Sequence, residues 1–310
     1  MLKKMIFLCL LFMYKIVPAQ LTYQTLYVDY DSAWTYKNLK IIPIRPKGWA
    51  GPARVVPGVI SLSQGLANGS VVVSERGSAA TENVHWLRIN NNGTESVYIG
   101  SGEIILGGRQ DRMVSKDTIL PPSRKDQYIP VMCVEEGRWS NKEKKFQYSN
   151  YADPSLRKVL DKSKNQVLVW KEIASQLDKS SVKSPTLAYL AHRSEKKYTP
   201  EQDEYLRYFT NAFKTDSSIM GFVCMSGDKV IGCDIYAGSN LFYGELQPLL
   251  HGYIEEAIRF GSTPVIEDEK VKAYLNPILT DETSQELYLK KNGKMYKYKE
   301  KVVHITSYAQ

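Results

Sequence analysis

The sequence has few of the residues that usually mark a disulfide framework. It contains four cysteines, and three of them, Cys133, Cys224 and Cys233, lie beyond the first twenty residues. An odd number of cysteines permits at most one internal disulfide and leaves a thiol over. The fold therefore cannot depend on disulfides, and the sequence leaves open whether any two of these cysteines pair.

Histidine is equally scarce, and its placement argues against a metal centre. The four histidines are His85, His192, His251 and His304. They form no His-x-His pair and no HExxH motif, and no serine-hydrolase elbow is present. The glycines between 102 and 108 are not followed by Gly-Lys-Ser/Thr, which excludes a P-loop. We therefore expect no metal site and no cofactor.

Long hydrophobic runs are absent after the first twenty residues. The apolar run Met5 to Tyr14 follows Lys3 and Lys4 and precedes Val17-Pro18-Ala19. It is shorter than the roughly 20 residues that span a bilayer, and its flanks are those of a secretory signal. We predict a signal peptide over residues 1–19 and a mature chain that begins at Gln20. This chain would be exported, periplasmic or secreted, without a transmembrane anchor.

A strong charge excess is also missing. The formal charge of +8 falls to +5 when the three lysines of the predicted signal are removed. This mild excess is unlike that of a dedicated nucleic-acid binder, so we expect no specific nucleic-acid partner. Six lysines between 290 and 301 are interpreted as a solvated edge strand rather than a polyanion face.

What is present indicates a fold of class α+β. Short alternating segments over residues 21–140, separated by Gly and Pro breaks, predict an antiparallel β-sandwich or barrel. Val84 to Asn90 and Val97 to Gly100 flank Asn91-Asn92-Gly93, which predicts a hairpin. Further strands are predicted over residues 103–106, 110–114, 118–120 and 128–134.

After residue 145 the spacing becomes helical. Asp153-Pro154 predicts the start of one helix to about Asp178, and Thr199 predicts a capping box for a second. A hairpin around Gly227-Asp228 and a helix from Phe242 to Phe260 follow. A final hairpin is predicted around Asn292-Gly293. We divide the chain into a signal peptide (1–19), a β-rich domain (20–145), a helix-rich region continuous with it (146–284) and a Lys-rich hairpin (285–310).

Acids and arginines concentrate between residues 103 and 112. Glu103, Arg109, Gln110, Asp111 and Arg112 lie there among glycines that allow close backbone approach. Such a group can hold a phosphate or a sugar diol, since an arginine fork suits carboxylate and phosphate alike. It can equally be an internal salt-bridge network that closes a sheet corner, and both alternatives stay open.

A second cluster lies at the end of the last predicted strand of the β-rich half, and contains Cys133, Glu135, Arg138 and Trp139. A nucleophilic cysteine needs a base or a positive neighbour, and His85 is conceivable, whereas a buried cysteine acts as a small hydrophobe. We predict that the two clusters converge at one end of the β-rich half and form a ligand site.

The segments GEIILGGRQDR, IPVMCVEEGRW and GDKVIGCDIYAGSNLFYGELQPLLHGY, in this order, resemble the ADP-ribosylglycohydrolase and rhodanese-phosphatase associated protein family. The resemblance runs from about Leu39 to Gly261, without the Lys-rich tail. It implies a context of ADP-ribose or NAD-derived nucleotides and carries no catalytic residue set. The matching positions are Gly102, Glu103, Gly107, Gln110, Arg112, Pro130, Val131, Cys133, Glu135, Gly137, Arg138, Trp139 and Asp234.

The sequence alone favours a ligand- or partner-recognition module of the cell envelope. It offers acids and arginines but no convincing nucleophile-base pair. The expected ligand is a small anionic compound or a sugar nucleotide. The alternatives are a hydrolase acting on a phosphorylated or ADP-ribosyl compound and a structural envelope assembly protein.

Overall fold

The computed structural model describes residues 20–48, 58–77, 83–140 and 144–309. The predicted signal peptide lies outside the described residues. The strands are β1 (Leu26–Val28), β2 (Trp34–Tyr36), β3 (Leu39–Pro46), β4 (Val59–Ser61), β5 (Val71–Glu75), β6 (Trp86–Asn91), β7 (Ser96–Ile99), β8 (Glu103–Gly108), β9 (Arg112–Val114), β10 (Thr118–Leu120), β11 (Gln127–Cys133), β12 (Lys144–Tyr151), β13 (Gly221–Ser226), β14 (Lys229–Tyr236), β15 (Gly293–Tyr298) and β16 (Lys301–Tyr308).

Most of the helices lie in the second half of the chain. They are α1 (Leu62–Ala67), α2 (Pro154–Ser163), α3 (Gln166–Lys179), α4 (Tyr198–Phe213), α5 (Ser239–Phe260), α6 (Asp268–Leu279) and α7 (Glu282–Asn292), with short 3-10 helices at Tyr30–Ser32 and Tyr189–Ser194. Within the described residues, no helix combines the length and the hydropathy that a membrane crossing requires.

The first half is built on a curled antiparallel sheet in the order β12-β8-β9-β11-β6-β5. One face packs with α1 and the three-stranded sheet β10-β7-β4 around residues such as Leu87, Ile89 and Val97. The other face is covered by α2 and α3 through Leu156, Ile173 and neighbouring apolar side chains. The predicted α+β class, with a barrel-like first half and a helix-rich second half, is confirmed.

A seven-stranded antiparallel sheet lies at the centre of the second half and also contains β1, β2 and β3 from the N-terminal part of the described chain. Its order is β1-β3-β13-β14-β16-β15, with β2 also paired to β3. Helices α4 and α5 pack on one face and α6 and α7 on the other. Cys224 belongs to the first of these cores and Cys233 to the second, so their side chains lie on opposite faces. Cys133, Cys224 and Cys233 are buried and form no disulfide among the described residues.

The predicted hairpin around Gly227-Asp228 is confirmed, since β13 pairs with β14 on either side of it. Helix α5 ends at Phe260 as expected but begins three residues earlier than predicted. Asp153 caps α2 by accepting the Leu156 N–H at 2.8 Å, with Pro154 in the first turn.

Four local predictions are wrong. The single helix from Asp153 to Asp178 is two helices, because Lys164 has φ 47° and Asn165 starts a new cap. Strands β6 and β7 do not form a hairpin, since they belong to different sheets. Thr199 does not cap α4, which begins at Tyr198 without a side-chain cap bond. Helix α6 was not predicted.

The fourth wrong prediction concerns the last turn. Asn292 ends helix α7, and the C-terminal hairpin joins β15 to β16 through Lys299 and Glu300. Gly293 has an extended φ of 179° rather than a turn conformation. Its Cβ would overlap the carbonyl oxygen of Thr306, so a close approach, rather than a turn, requires the glycine.

Candidate functional site

Six predicted site residues come together where β9 pairs with β11. We call them the arginine cluster: Arg109, Gln110, Asp111, Arg112, Glu135 and Arg138. Cys133 faces Arg112 in the strand pairing, so the chain just beyond it returns to the side of Asp111. The predicted convergence of the two clusters is present for these six residues.

The Arg138 guanidinium is the centre of the arginine cluster. Its Nη2 donates to Asp111 Oδ1 at 2.7 Å, its Nη1 to the Arg109 carbonyl at 3.4 Å, and its Nε to Glu135. Thr186 donates to the other Glu135 oxygen at 2.8 Å. Each nitrogen of this guanidinium therefore has a protein partner.

Arg112 is fully buried beside this group. Its Nη1 donates to Gln110 Oε1 at 3.3 Å, and its Nη2 lies 3.7 Å from Glu75 Oε2. Glu75 also accepts the Arg109 N–H at 2.7 Å. Sequence reasoning missed Glu75, because it lies on β5, 34 residues before Arg109. One signal could have found it: Val71, Val73 and Glu75 occupy alternate positions of β5, so Glu75 lies on the same buried face of the strand as the two valines.

The charged side chains of the arginine cluster form ion pairs with one another and with Glu75. Burial raises the pKa of Asp111, although hydrogen bonds from Gly107 and Arg138 act in the opposite direction. Charge-assisted bonds of this kind stabilise a sheet corner without any ligand. The contacts match the salt-bridge alternative, and the assignment of these residues to a ligand site stays a prediction.

The other three predicted site residues, Glu103, Trp139 and Cys133, have different surroundings. Glu103 is fully buried and accepts hydrogen bonds from Tyr148 at 3.0 Å and from the Gly100 N–H at 2.8 Å. Trp139 is 44% exposed. Cys133 is buried, and Gln166 holds its backbone with two bonds of 2.8 Å, whereas His85 is exposed.

A second polar region links the two halves of the molecule. We call it the buried polar chain: Asp117, Tyr98, His304, Asp234 and Arg157, of which all but Asp117 are at most 1% exposed. Tyr98 donates to Asp117 at 2.9 Å, and its hydroxyl lies 2.9 Å from His304 Nδ1. His304 Nε2 lies 2.8 Å from Asp234 Oδ1. Arg157 then binds both Asp234 oxygens at 2.8 and 3.0 Å.

The hydrogen-bond directions along the buried polar chain define the state of His304. Because the Tyr98 proton is used on the carboxylate of Asp117, its oxygen must accept from His304 Nδ1. Nε2 faces the second carboxylate, that of Asp234. All bonds are satisfied only when both ring nitrogens carry a proton. Apart from the neutral Tyr98 hydroxyl, carboxylates and cations then alternate along the buried polar chain.

These neighbours determine the acidity of the two carboxyl groups. Burial alone would raise the pKa of Asp117, but Lys294 and His304 outweigh it and hold that pKa well below its usual range. Burial opposes the ionisation of Asp234 too, and Arg157 and His304 again hold its pKa well below the usual range. Both groups are therefore carboxylates at neutral pH.

The buried polar chain reaches the surface at a cleft of about 190 Å³. We call it the lysine cleft, and its charged lining residues are Lys116, Asp117, Asp161, Lys164 and Lys294. Lys294 Nζ lies 2.7 Å from Asp117 Oδ2 and 3.7 Å from Asp161 Oδ2. Lys116 and Lys164 are exposed at its rim. Three lysines and two aspartates leave the lysine cleft with one net positive charge.

Sequence reasoning missed the buried polar chain and the lysine cleft. One signal existed: His304, Thr306 and Tyr308 alternate along β16, so they share one face of the strand. Thr306 accepts from Arg157 at 3.1 Å, and Tyr308 donates to Asp161. A polar face on an otherwise buried strand indicates a buried network. Within the described residues, no group of three or more His, Cys, Asp or Glu is arranged to hold a metal ion.

Fold and polar regions together define an α+β protein with a small charged cleft backed by a buried polar chain. The chain belongs to the family of the ARG and Rhodanese-Phosphatase-superfamily-associated Protein domain, whose model matches residues 27–307. The match extends into the Lys-rich tail, which the resemblance had left out. Searches of curated proteins and of solved structures found no match.

Six of the positions that carried the family resemblance lie in or against the two polar regions. Gln110, Arg112, Glu135 and Arg138 belong to the arginine cluster. Gly102 and Asp234 both contact Arg157 instead. Gly102 has φ +95°, and a Cβ there would lie 2.8 Å from Arg157 Cγ, so glycine is required beside this arginine.

Proposed function

We propose that this protein is a recognition module that binds a small anionic ligand in the lysine cleft. The observation that carries the proposal is the group of three lysines around Asp117 and Asp161. Lys294 is already paired with Asp117, whereas Lys116 and Lys164 are exposed at the rim and available to an incoming anion. Lysine is a common phosphate binder because it acts as a mobile point charge.

The size of the lysine cleft limits what it holds. Its volume of about 190 Å³ is below the roughly 300 Å³ at which sites for drug-sized ligands begin. It accommodates one phosphoryl or carboxylate group, and the rest of a larger ligand would lie outside. The family name supports an ADP-ribosyl or NAD-derived context, in which the phosphoryl end of the ligand would occupy the cleft.

Binding is favoured over catalysis by the acidity of the residues at the lysine cleft. A general base works best when its pKa is near the operating pH. The pKa of Asp117 is held far below that value, against the effect of burial, by Lys294 and His304. Glu103 and Glu245 are fully buried and do not line the cleft. A hydrolase acting on a phosphorylated or ADP-ribosyl compound remains the alternative.

We also propose that the protein acts outside the cytoplasmic membrane, in the periplasm or in the medium. The support is the sequence of residues 1–19, with Lys3 and Lys4 before an apolar run and Ala19 before the expected cleavage. If this is correct, the intact mass measured for the exported protein will match a chain that begins at Gln20.

The binding proposal is tested by thermal shift with inorganic phosphate, pyrophosphate, ribose 5-phosphate and ADP-ribose. A ligand that binds only the folded state raises the melting temperature. We expect at least one of these compounds to do so in the wild type and in Lys171→Gln, a control that removes an exposed lysine outside the cleft. Lys116→Gln and Lys164→Gln should each need about ten times more ligand than the wild type to reach the same shift in melting temperature.

Equal shifts in all four proteins would refute the lysine cleft as the site, and so would the absence of any shift. The shift with phosphate alone tests whether the lysine cleft binds anions. The shift with ADP-ribose tests whether the ligand is an ADP-ribosyl or NAD-derived compound. Release of phosphate or ribose from a compound that binds would favour the hydrolase alternative.

A further inference from the structure

The outer face of the curled six-stranded sheet is accessible where β5, β6 and β11 lie side by side. Leu87, Ile89 and Ile129 point from β6 and β11 into the core. Since side chains alternate along a strand, Trp86 and Tyr128 point to the opposite face. The sheet curls around the core, so this outer face is convex.

Each of the three strands places one exposed large side chain on the outer face. Val72 on β5 is 49% exposed, Trp86 on β6 is 37% exposed and Tyr128 on β11 is 39% exposed. Trp86 pairs with Pro130 and Tyr128 with Arg88, so the two aromatic residues are diagonal neighbours, roughly 7–8 Å apart. An exposed apolar patch that polar residues surround is typical of an interaction site. We call this patch and its polar neighbours the aromatic face: Val72, Arg76, Trp86, Arg88, Asn90, Asp126 and Tyr128.

We propose that the aromatic face binds an acidic polysaccharide, a chain of sugar units that carry carboxylate groups. The proposal is independent of the lysine cleft, which is lined by different residues. It concerns a polymeric partner rather than a small ligand.

The indole of Trp86 provides a surface on which a sugar unit stacks. The face of an aromatic ring is negative, and it attracts the weakly positive C–H groups on one side of a pyranose ring. Arg76 lies beside Trp86, because it directly follows Glu75, which pairs with Leu87. A charged group is therefore next to the stacking surface.

The Arg76 guanidinium is positioned to bind a carboxylate. Its central carbon lies 4.6 Å from the centroid of the Tyr128 ring, a cation–π contact that holds the guanidinium over the sheet. Arg76 is also exposed, so its N–H groups reach solvent. Such a planar fork donates two parallel hydrogen bonds to a carboxylate. One sugar unit would stack on Trp86, and the carboxylate of a neighbouring unit would bind Arg76.

The charge around the aromatic face favours an acidic partner. The accessible charged residues on this face and in the loop before β11 are Arg76, Arg88, Arg124, Lys125 and Asp126. Four cations and one aspartate leave three net positive charges. Complementary charge of this kind favours an anionic partner over a neutral one.

The polar groups of the aromatic face favour a sugar over a nucleic acid. Asp126 accepts a hydrogen bond from Asn90 at 2.9 Å and lies 3.6 Å from Arg88 Nε. A carboxylate accepts hydrogen bonds from sugar hydroxyls, whereas it repels the phosphates of a nucleic acid. Proteins that bind single strands also use a positively charged groove, and a convex face has no such groove.

The shape of the aromatic face favours a polymer over a small molecule. Sites for small ligands are concave and enclose most of the ligand, which a convex face cannot do. A polysaccharide repeats the same weak contact along its length, so that several units of one chain bind together. The aromatic face and the loop before β11 offer such successive contacts through Trp86, Arg76 and Arg124.

The experiment measures binding of the purified full chain to polygalacturonate, a polymer of a uronic acid, by affinity electrophoresis. We expect polygalacturonate to retard the protein and neutral dextran to have at least about tenfold weaker affinity. Trp86→Ala should weaken binding of polygalacturonate about tenfold through the lost stacking surface, and Arg76→Gln should do so through the lost charge.

Tyr208→Ala and Arg207→Gln are the matched controls for these two variants. Tyr208 is 38% exposed and Arg207 is exposed on α4, a helix that packs on the central sheet instead. Both controls should bind like the wild type. Circular dichroism and melting temperature establish that each variant folds.

The proposal is overturned if polygalacturonate does not bind, or if folded Trp86→Ala and Arg76→Gln bind it like the wild type. Equal binding of dextran would overturn the acidic character of the partner. Tighter binding of a poly-dT oligonucleotide that Trp86→Ala abolishes would identify a nucleic acid as the occupant instead. A dimer that Trp86→Ala dissociates would likewise overturn the proposal, since the occupant is then a second copy.

Discussion

At the scale of single residues, neighbouring charge decides how each buried acid behaves. Asp117 and Asp234 are buried beside Lys294 and Arg157, and these cations overcome the effect of burial on their pKa values. Glu245 is as deeply buried, and its contact is a hydroxyl, that of Tyr151, at 2.8 Å. Burial therefore raises the pKa of Glu245 to about 8, and the acid is protonated at neutral pH.

Replacing Glu245 by glutamine should remove part of the pH dependence of stability. Because its pKa is raised from 4.5 to about 8, the folded state holds a proton that the unfolded state has lost within this range. The stabilisation is complete below pH 4.5 and declines as pH rises towards 8, by at most about 1.4 kcal/mol per pH unit. We expect Glu245→Gln to be more stable than the wild type at pH 8.5 and similar at pH 5, measured by urea unfolding.

Glu269→Gln is the control for this prediction. Glu269 is an exposed acid whose partner is the exposed Lys272, so its replacement should leave the stability curve between pH 5 and 9 unchanged. If Glu245→Gln and the wild type show parallel curves across this range, Glu245 is not the titrating group.

Sequence reasoning succeeded for residues that are close along the chain and failed for distant ones. Asp111, Glu135 and Arg138 could be predicted to meet, because short connections bring β9 back beside β11. Tyr98 and His304 are separated by 206 positions, and no local pattern specifies that contact. Asp234 was noticed through the family resemblance, but its partner Arg157 was not.

At the scale of elements, the strands and helices were predicted better than their ends and partners. The apolar spacing continued across Lys164, and it therefore concealed the break between α2 and α3. Asn91-Asn92-Gly93 has turn chemistry, yet β6 and β7 leave it for different sheets. Periodicity reports which face of an element is buried, whereas pairing depends on the rest of the fold.

The turn between β15 and β16 offers a direct test of the corrected hairpin. Lys299 and Glu300 have φ 48° and 61°, a left-handed pair that two-residue hairpin loops favour and for which glycine and asparagine are preferred. Glu300→Gly should therefore raise the free energy of unfolding by about 0.5–1 kcal/mol, measured with urea.

Lys301→Gly provides the comparison, because Lys301 starts an extended strand in which glycine only increases the entropy of the unfolded chain. It should lower stability. A loss of stability in Glu300→Gly as well would mean that the turn is not formed at Lys299 and Glu300.

At the scale of the whole molecule, the central sheet joins strands from both ends of the described chain. Strand β3 pairs with β13, and β16 pairs with β14, so residues 39–46 and 301–308 lie in one sheet. Ending the chain after Asn292 would remove β15 and β16, and with them His304 and Thr306. We expect this shortened protein to lose its cooperative unfolding transition, because Arg157 and Asp234 lose buried partners and β14 becomes an edge.

A chain that ends at Tyr308 is the control for the truncation, since it retains both strands. It should unfold cooperatively near the wild-type midpoint. A cooperative transition in the shorter chain would show that the C-terminal hairpin is dispensable for the fold.

The position of β16 also has a consequence for how the protein is made. Synthesis proceeds from the N-terminus, so Tyr98 and Arg157 leave the ribosome long before His304, Thr306 and Tyr308 are added. Until then the aspartates and arginine of the buried polar chain lack their partners on β16, and burying these charged groups is unfavourable. The central sheet therefore cannot be completed until the last strand has been synthesised.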